Sequence, residues 1–161
     1  MADEFNGRCA CGYVHFRMTG KPMIVHCCHC RCCQRETGAS FAVNALIEAD
    51  RVAIDSGDVE AIDTPTNSGR GQRIIRCPRC HVALWSHYAY AGIGDLVCFV
   101  RVGTLDDPDA FVPDVHIFVE SKQPWVELPQ GAIAFDQFYS TRDVWPENSL
   151  ARREALRSQQ E

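Results

Sequence analysis

The sequence predicts a mainly β protein of one domain, and three observations carry that expectation. Short apolar or alternating stretches recur with turn residues between them, sustained helical periodicity is scarce, and 161 residues suffice for one domain with its own core. Gly7 to Met18 runs from a glycine-punctuated turn into an alternation that sets Val14, Phe16 and Met18 on one face, a strand signature. Met23 to His26 reads as a short apolar strand. Cys27 to Gly38, dense in Cys, Arg and polar residues, reads as a metal knuckle running into a helical turn that Gly38 ends. Strands are expected at Phe41 to Ile47, Arg51 to Ile54, Val59 to Ile62, Gln72 to Arg76 and Val82 to Trp85, and most clearly at Leu96 to Val102 and Val115 to Val119. Thr64 to Gly71 is a loop by composition and Leu105 to Pro108 a turn, in which Asp106 and Asp107 are turn-formers and not paired catalytic carboxylates. From Pro146 a short helix is expected, with Pro in its first turn and Leu150, Ala151, Ala155 and Leu156 as contacts.

Sixteen Lys plus Arg against 21 Asp plus Glu leave a net charge of −5, so no electrostatic case exists for nucleic acid or an anionic membrane as partner. No apolar run approaches the roughly 20 residues of a membrane helix, and Met1-Ala2-Asp3-Glu4 is acidic where a signal peptide would be basic. A cytoplasmic location is the expectation. Arg outnumbers Lys 14 to 2, which suits bidentate carboxylate recognition and follows equally from codon bias. The oligomeric state is left open.

Cysteine is the outlier, with ten residues, seven of them before position 34. In a chain of this size without an export signal, reduced metal-binding thiolates are favoured over a disulfide framework. Cys9-x-Cys11 and Cys77-Pro78-Arg79-Cys80 are two close pairs separated by most of the chain. Four thiolates from two knuckles make a closed tetrahedral zinc site, at about 2.3 Å per Zn–S bond, that ties distant strands together. Thioredoxin-like redox chemistry at Cys77 and Cys80 lacks the βαβ setting it needs.

Cys28-x-Cys30-x-x-Cys33 offers three thiolates from one loop and leaves a fourth metal position to an outside ligand. Zn²⁺ with three thiolates carries a charge of about −1, a poor Lewis acid for making hydroxide. Such a centre suits a fourth thiolate, and so a thiol substrate bound through sulfur and presented as a nucleophile. The competing reading is a second structural zinc closed by Cys27, Cys32 or His29.

Taken in order, Cys9-x-Cys11-Gly12, Cys28-His29-Cys30-x-x-Cys33-Gln34-Arg35-x-x-Gly38, Cys77-x-x-Cys80, Gly103-Thr104-Leu105-Asp106-Asp107-Pro108 and His116-Ile117-Phe118-Val119-x-Ser121-Lys122-x-x-Trp125 form one set. Over roughly residues 5–130 this set resembles the glutathione-dependent formaldehyde-activating enzymes and their centromere protein V-like relatives. The resemblance implies a zinc-stapled β-tent of stacked antiparallel sheets. It implies two zinc ions, a structural one on Cys9, Cys11, Cys77 and Cys80 and a catalytic one on Cys28, Cys30 and Cys33. Its activity is carbon–sulfur lyase chemistry, joining glutathione to formaldehyde as S-hydroxymethylglutathione and reversing it, so a small thiol such as glutathione and a small aldehyde are the expected partners. Residues 1–161 are then one domain, with a C-terminal extension at 143–161. A reading of another class is a non-catalytic zinc β-tent that binds glutathione or a protein. A third, a zinc-containing sulfoxide reductase, needs a reactive late cysteine, and Cys98 inside Leu-Val-Cys-Phe-Val reads as a buried, inert thiol.

His81 stands where the resembled family usually carries Gly, so the turn there is expected to differ. His116 reads either as a proton carrier or as a hydrogen-bonded structural histidine. His29, between two ligands, reads as a residue that fixes the loop, because adjacent residues rarely point at one ion. Arg31 and Arg35 flank the open centre and suit the carboxylates of glutathione, with solvated surface arginines as the alternative. Trp85, Trp125, Trp145, Tyr88 and Tyr90 are read as core packing for the most part, or as walls of a cleft.

Overall fold

The computed structural model describes residues 3–88 and 93–159; Tyr90 lies outside them. The chain runs through β1 (Glu4–Arg8), β2 (His15–Thr19), β3 (Ile24–Cys28), α1 (Arg31–Thr37), β4 (Ala42–Glu48), β5 (Val52–Ser56), β6 (Glu60–Thr64) and β7 (Gln72–Arg76). It continues through β8 (Ala83–Tyr88), β9 (Val97–Arg101), β10 (Val115–Ile117), β11 (Ala134–Phe135), α2 (Thr141–Val144) and α3 (Glu147–Arg157). A three-stranded sheet in the order β1-β2-β5 stacks on an eight-stranded sheet in the order β11-β10-β3-β4-β9-β8-β7-β6. The architecture is mainly β, as expected. Within it β10 runs parallel to both β3 and β11, while the other pairings are antiparallel.

The central strands are buried on both faces, which is why they read as near-continuous apolar runs. Val25, Ala45, Ile47, Cys98 and Val100 pack between the sheets against Phe16, Met18 and Trp85. Ile24, Cys28, Leu46 and Val97 share the opposite cluster with Ile117, Tyr139, Trp145 and Leu156. Burying an aliphatic side chain stabilises by about 1.5–3 kcal/mol, so this two-sided sandwich is the main source of fold energy.

The expected strand at 7–18 is in fact two. Phe16 and Met18 of β2, with Val14 just before it, are buried as the predicted face, while β1 lies upstream and pairs Phe5 with Met18. Gly7 sits opposite Phe16, and a Cβ there would come within 2.4 Å of the ring, so only glycine lets the ring lie across the strand. β10 ends at Ile117 because Phe118 takes φ 57, a left-handed backbone that cannot continue a strand.

At the C-terminus the helix is present, and two details correct the expectation. Pro146 is the cap of α3 and not part of its first turn, and Ala151 and Ala155 are exposed. The inward positions are Ser149, Arg152 and Leu156, spaced by three and four residues as one helical face requires. The Ser149 hydroxyl donates to the Met23 carbonyl at 2.7 Å, and Arg152 grips the Glu48 carboxylate through Nε at 2.7 Å and through Nη2. Trp145 donates to the Tyr139 hydroxyl, which also bonds buried His26. Among the described residues no helix is long and apolar enough to cross a membrane.

Candidate metal centres

The β1–β2 connection brings Cys9 and Cys11 to the β7–β8 connection, where Cys77 and Cys80 lie, and the four sulfurs sit within 4.8 Å of one another. Cys9 and Cys11 are 3.5 Å apart and Cys11 and Cys77 are 3.8 Å apart. Four sulfurs at about 2.3 Å around a tetrahedral zinc would be about 3.8 Å apart, so the donor set and its spacing fit that ion. Two backbone N–H groups already point at sulfur, Val14 at Cys9 (3.3 Å) and Arg79 at Cys77 (3.4 Å). Cys80 is lowered to about 6, chiefly by the Val82 backbone amide, which favours the thiolate a metal needs. His81 takes φ 59, so the turn keeps a glycine-like shape despite the change of residue. The Arg76 guanidinium helps to hold it by donating to the His81 carbonyl at 2.8 Å.

Cys28, Cys30 and Cys33 form the second group, again within 4.8 Å. Cys28 ends β3, Cys30 caps α1 by accepting the Cys33 N–H at 3.3 Å, and Cys33 lies in the first turn. The helix ends at Gly38, φ 67, as the sequence predicts. Hydrogen bonds from the Cys28 and Cys33 thiols pull Cys30 down to about 2. Bonds with Cys30 and Cys33, with burial, push Cys28 up. For Cys33 the bond with Cys28 lowers, but the bond with Cys30, burial and the Cys30 charge prevail and push it up to about 12. The opposed shifts arise from three thiols crowded together, and a divalent cation bound there would displace their protons. The donors fit zinc with one position left over.

Alternation along β3 decides which cysteines join this group. Cys28 faces one side of the sheet and Cys27 the other, where it meets His29 and His116. Cys32 projects from α1 toward the 64–71 loop and donates to Asn67 Oδ1 at 3.0 Å. Neither Cys27 nor Cys32 is among the three converging sulfurs.

The family model for the glutathione-dependent formaldehyde-activating enzyme matches residues 4–121. The chain belongs to that family. The match includes both cysteine groups and stops before β11, α2 and α3. A crystal structure of a Rhodobacter sphaeroides protein is similar at 14% identity and a TM-score of 0.45, covering 80% of this chain and 97% of its own. Comparison with curated proteins gives no match. Membership of the formaldehyde-activating family supports an enzyme function related to glutathione and formaldehyde in general.

Around the two cysteine groups, the structure distributes the other predicted residues unevenly. Arg31 and Arg35 are exposed on α1, and Arg31 donates to Gln34 Oε1 at 2.7 Å. Gln34 in turn donates to the carbonyls of His29 (2.7 Å) and Ser121 (3.0 Å), fastening the helix to the chain after β10. His116 turns to His29 and Cys27 and not to the three sulfurs. Trp85 and Trp145 are core residues, Tyr88 bonds Ser68, and Trp125 is 72% exposed. Cys98 is buried and pushed up to about 12 by desolvation, the inert thiol expected.

Sequence reasoning missed an ion network beside Cys33. Glu36 of α1 is bonded by Arg76 of β7 and by Arg101 of β9 (3.1 Å), and Arg101 also donates to Asn44. Arg101 is nearly buried, its charge pulls Cys33 downward, and its Nε has no partner among the described residues. The available signal was one arginine and one asparagine in otherwise apolar strands, Leu-Val-Cys-Phe-Val-Arg and Phe-Ala-Val-Asn-Ala-Leu.

Proposed function

We propose that the chain is a zinc-dependent carbon–sulfur lyase-type enzyme acting on a thiol–aldehyde adduct, with glutathione plus formaldehyde going to and from S-hydroxymethylglutathione as the leading reaction. The observation that carries this reading is the convergence of Cys28, Cys30 and Cys33 beside the buried Arg101 cation, on a face where no other cysteine closes the group. Zinc held by Cys28, Cys30 and Cys33 would supply a coordination position for a substrate thiolate.

The chain's own residues then have separable tasks. Arg101 offsets the negative charge of the sulfur group, and Glu36 and Asn44 hold its guanidinium in place. Arg31 and Arg35, exposed at the rim, offer guanidinium groups to the carboxylates of a glutathione-like thiol. Ile117 pairs with Cys28 in the β3–β10 register and belongs, with Phe118, to the apolar cluster that contains Cys28, Cys30 and Cys33, so one side of the sulfur group is apolar. In the addition, the thiol sulfur forms the C–S bond to the aldehyde carbon and the carbonyl π pair moves to oxygen. That oxygen takes a proton from water, and the thiol's own proton goes to solvent. Positioning and proton transfer together give an acceleration of about 10²-fold.

Formaldehyde–glutathione exchange at equilibrium, followed by NMR, tests the reading. Wild type is expected to exchange faster than Cys30→Ser at equal protein. Equal rates with zinc-dependent glutathione binding retained would point to the non-catalytic module, and absence of thiol binding would remove both.

A further inference from the structure

We propose that Cys27, His29 and His116 form a third metal site, for a divalent cation of zinc type, on the face of β3 opposite Cys28. It goes beyond the function proposed above and does not depend on it.

Strand pairing builds this group. β10 lies parallel to β3 with His116 opposite Cys27, so the two side chains leave the same face of the sheet as neighbours. His29 follows Cys27 by two residues and returns to that face, its N–H held by the Ile117 carbonyl at 2.9 Å. One ligand atom from each of the three lies within 4.8 Å of the others. The Cys27 sulfur is 3.5 Å from His29 Nε2, and His29 Nε2 is 3.0 Å from His116 Nδ1. A tetrahedral zinc with Zn–S of about 2.3 Å and Zn–N of about 2.05 Å sets sulfur and nitrogen about 3.5 Å apart and two nitrogens about 3.3 Å apart. The first separation is already met, and the second needs a few tenths of an ångström.

Burial supplies a second argument. Cys27 is 2% exposed and His29 is 0% exposed, with Phe41 against the His29 ring at 5.4 Å. His29 Nδ1 has no partner among the described residues, and an ion at Nε2 would leave it so; that orphan bears on how tightly the site binds, while the convergence of three buried ligand atoms carries the site itself. If His116 donates to Nε2, the Nδ1–H is orphaned. If Nε2–H donates to His116, Nδ1 is a bare acceptor.

A cation would replace that contact with two nitrogen bonds and one thiolate bond, the Cys27 proton leaving to solvent. Two neutral imidazoles and one thiolate leave a divalent ion with a net charge of about +1, against −1 for three thiolates and −2 for four. This would be the most Lewis-acidic of the three centres. It is also expected to be the weakest, because a ligating histidine usually donates its other N–H, and lack of that partner costs about 10–100-fold in affinity.

The test is metal stoichiometry of the reduced full-length chain. Inductively coupled plasma and native mass spectrometry of zinc-saturated wild type should give three ions per chain, and Cys27→Ala and His116→Gln should each give two. Stepwise chelation should empty this site first. Cobalt titration should show a cysteine-to-cobalt charge-transfer band, in the last equivalent bound, that both variants lose. Circular dichroism checks that each variant keeps the fold, and one folded variant suffices. Two ions in saturated wild type overturn the proposal, as do three ions in a folded variant. Cys30→Ser separates this outcome from failure of the three-cysteine centre, since it should remove a different ion and leave the Cys27-dependent cobalt band in place.

Discussion

The two cysteine-only groups use the same ligand atom and differ in how much chain they enclose. Cys11 and Cys77 are 66 positions apart, and their group joins a connection of the three-stranded sheet to one of the eight-stranded sheet. Cys28, Cys30 and Cys33 come from one short segment that turns from β3 into α1. Closing a long loop removes much more freedom from the unfolded chain than closing a short one, so an ion in the first group acts on the whole fold and an ion in the second acts locally. Ligand separation along the chain would therefore divide a fold-wide tie from a local one, although the donor chemistry is shared.

Cys80→Ser is the severest way to break that comparison. Structural zinc contributes on the order of 10 kcal/mol, comparable to a domain's net stability, so the variant should be insoluble or lack near-ultraviolet dichroism. Cys30→Ser should stay folded and lose one zinc. A soluble, cooperatively melting Cys80→Ser chain with undiminished zinc would erase the distinction between the groups.

Next in size is Glu36→Gln. It leaves Arg76 and Arg101 without their carboxylate in a largely buried setting, which costs about 3–5 kcal/mol and lowers the melting temperature by about 10 °C. A shift below about 2 °C would mean that the cysteine loop and the Gln34 bonds anchor α1 without this network.

Glu48 gives a metal-free fastening to set beside both groups. Burial pushes its carboxyl up, but the Arg152 bonds and charge outweigh it and bring the group below 4.5. The unfolded chain therefore binds this proton more readily than the folded one. The stabilisation is complete above about pH 4.5 and is lost as pH falls through the lower folded value. Arg152→Ala should cost about 2 kcal/mol at neutral pH, and the gap from wild type should close in acid. Hydrogen exchange across 147–157 reads this directly, and a gap that does not narrow below pH 4.5 would assign the docking of α3 to apolar contacts alone.

The smallest expected effect sharpens the staple. His81 occupies the left-handed region at φ 59, where a residue with a Cβ pays about 1–2 kcal/mol. His81→Gly removes that strain and adds unfolded-state freedom, for a net gain of about 0.5–1 kcal/mol in thermal unfolding of the zinc-loaded protein. A loss of stability would show that the His81 side chain is used.

Sequence alone determined the parts that depend on neighbours in the chain. The 9/11 and 77/80 spacings set each close pair and the 28/30/33 spacing one three-sulfur group, the double-sided burial of β4 and β9 shows as apolar runs, and Gly38 marks the end of α1, while the meeting of the two pairs across 66 positions belongs to the tertiary structure. Only the tertiary structure decided that Glu36 meets Arg76 and Arg101, that His116 lies 3.0 Å from His29 and not beside the three sulfurs, and that Ser149 and Arg152 are the inward residues of α3. The His29–His116 contact spans 87 positions and exists because β10 pairs parallel to β3 in one register; a slip of one residue would turn His116 to the opposite face. Ligand spacing is a property of a few adjacent bonds, whereas register and charge pairing are settled when separate strands compete to bury their faces, and no local pattern records that outcome.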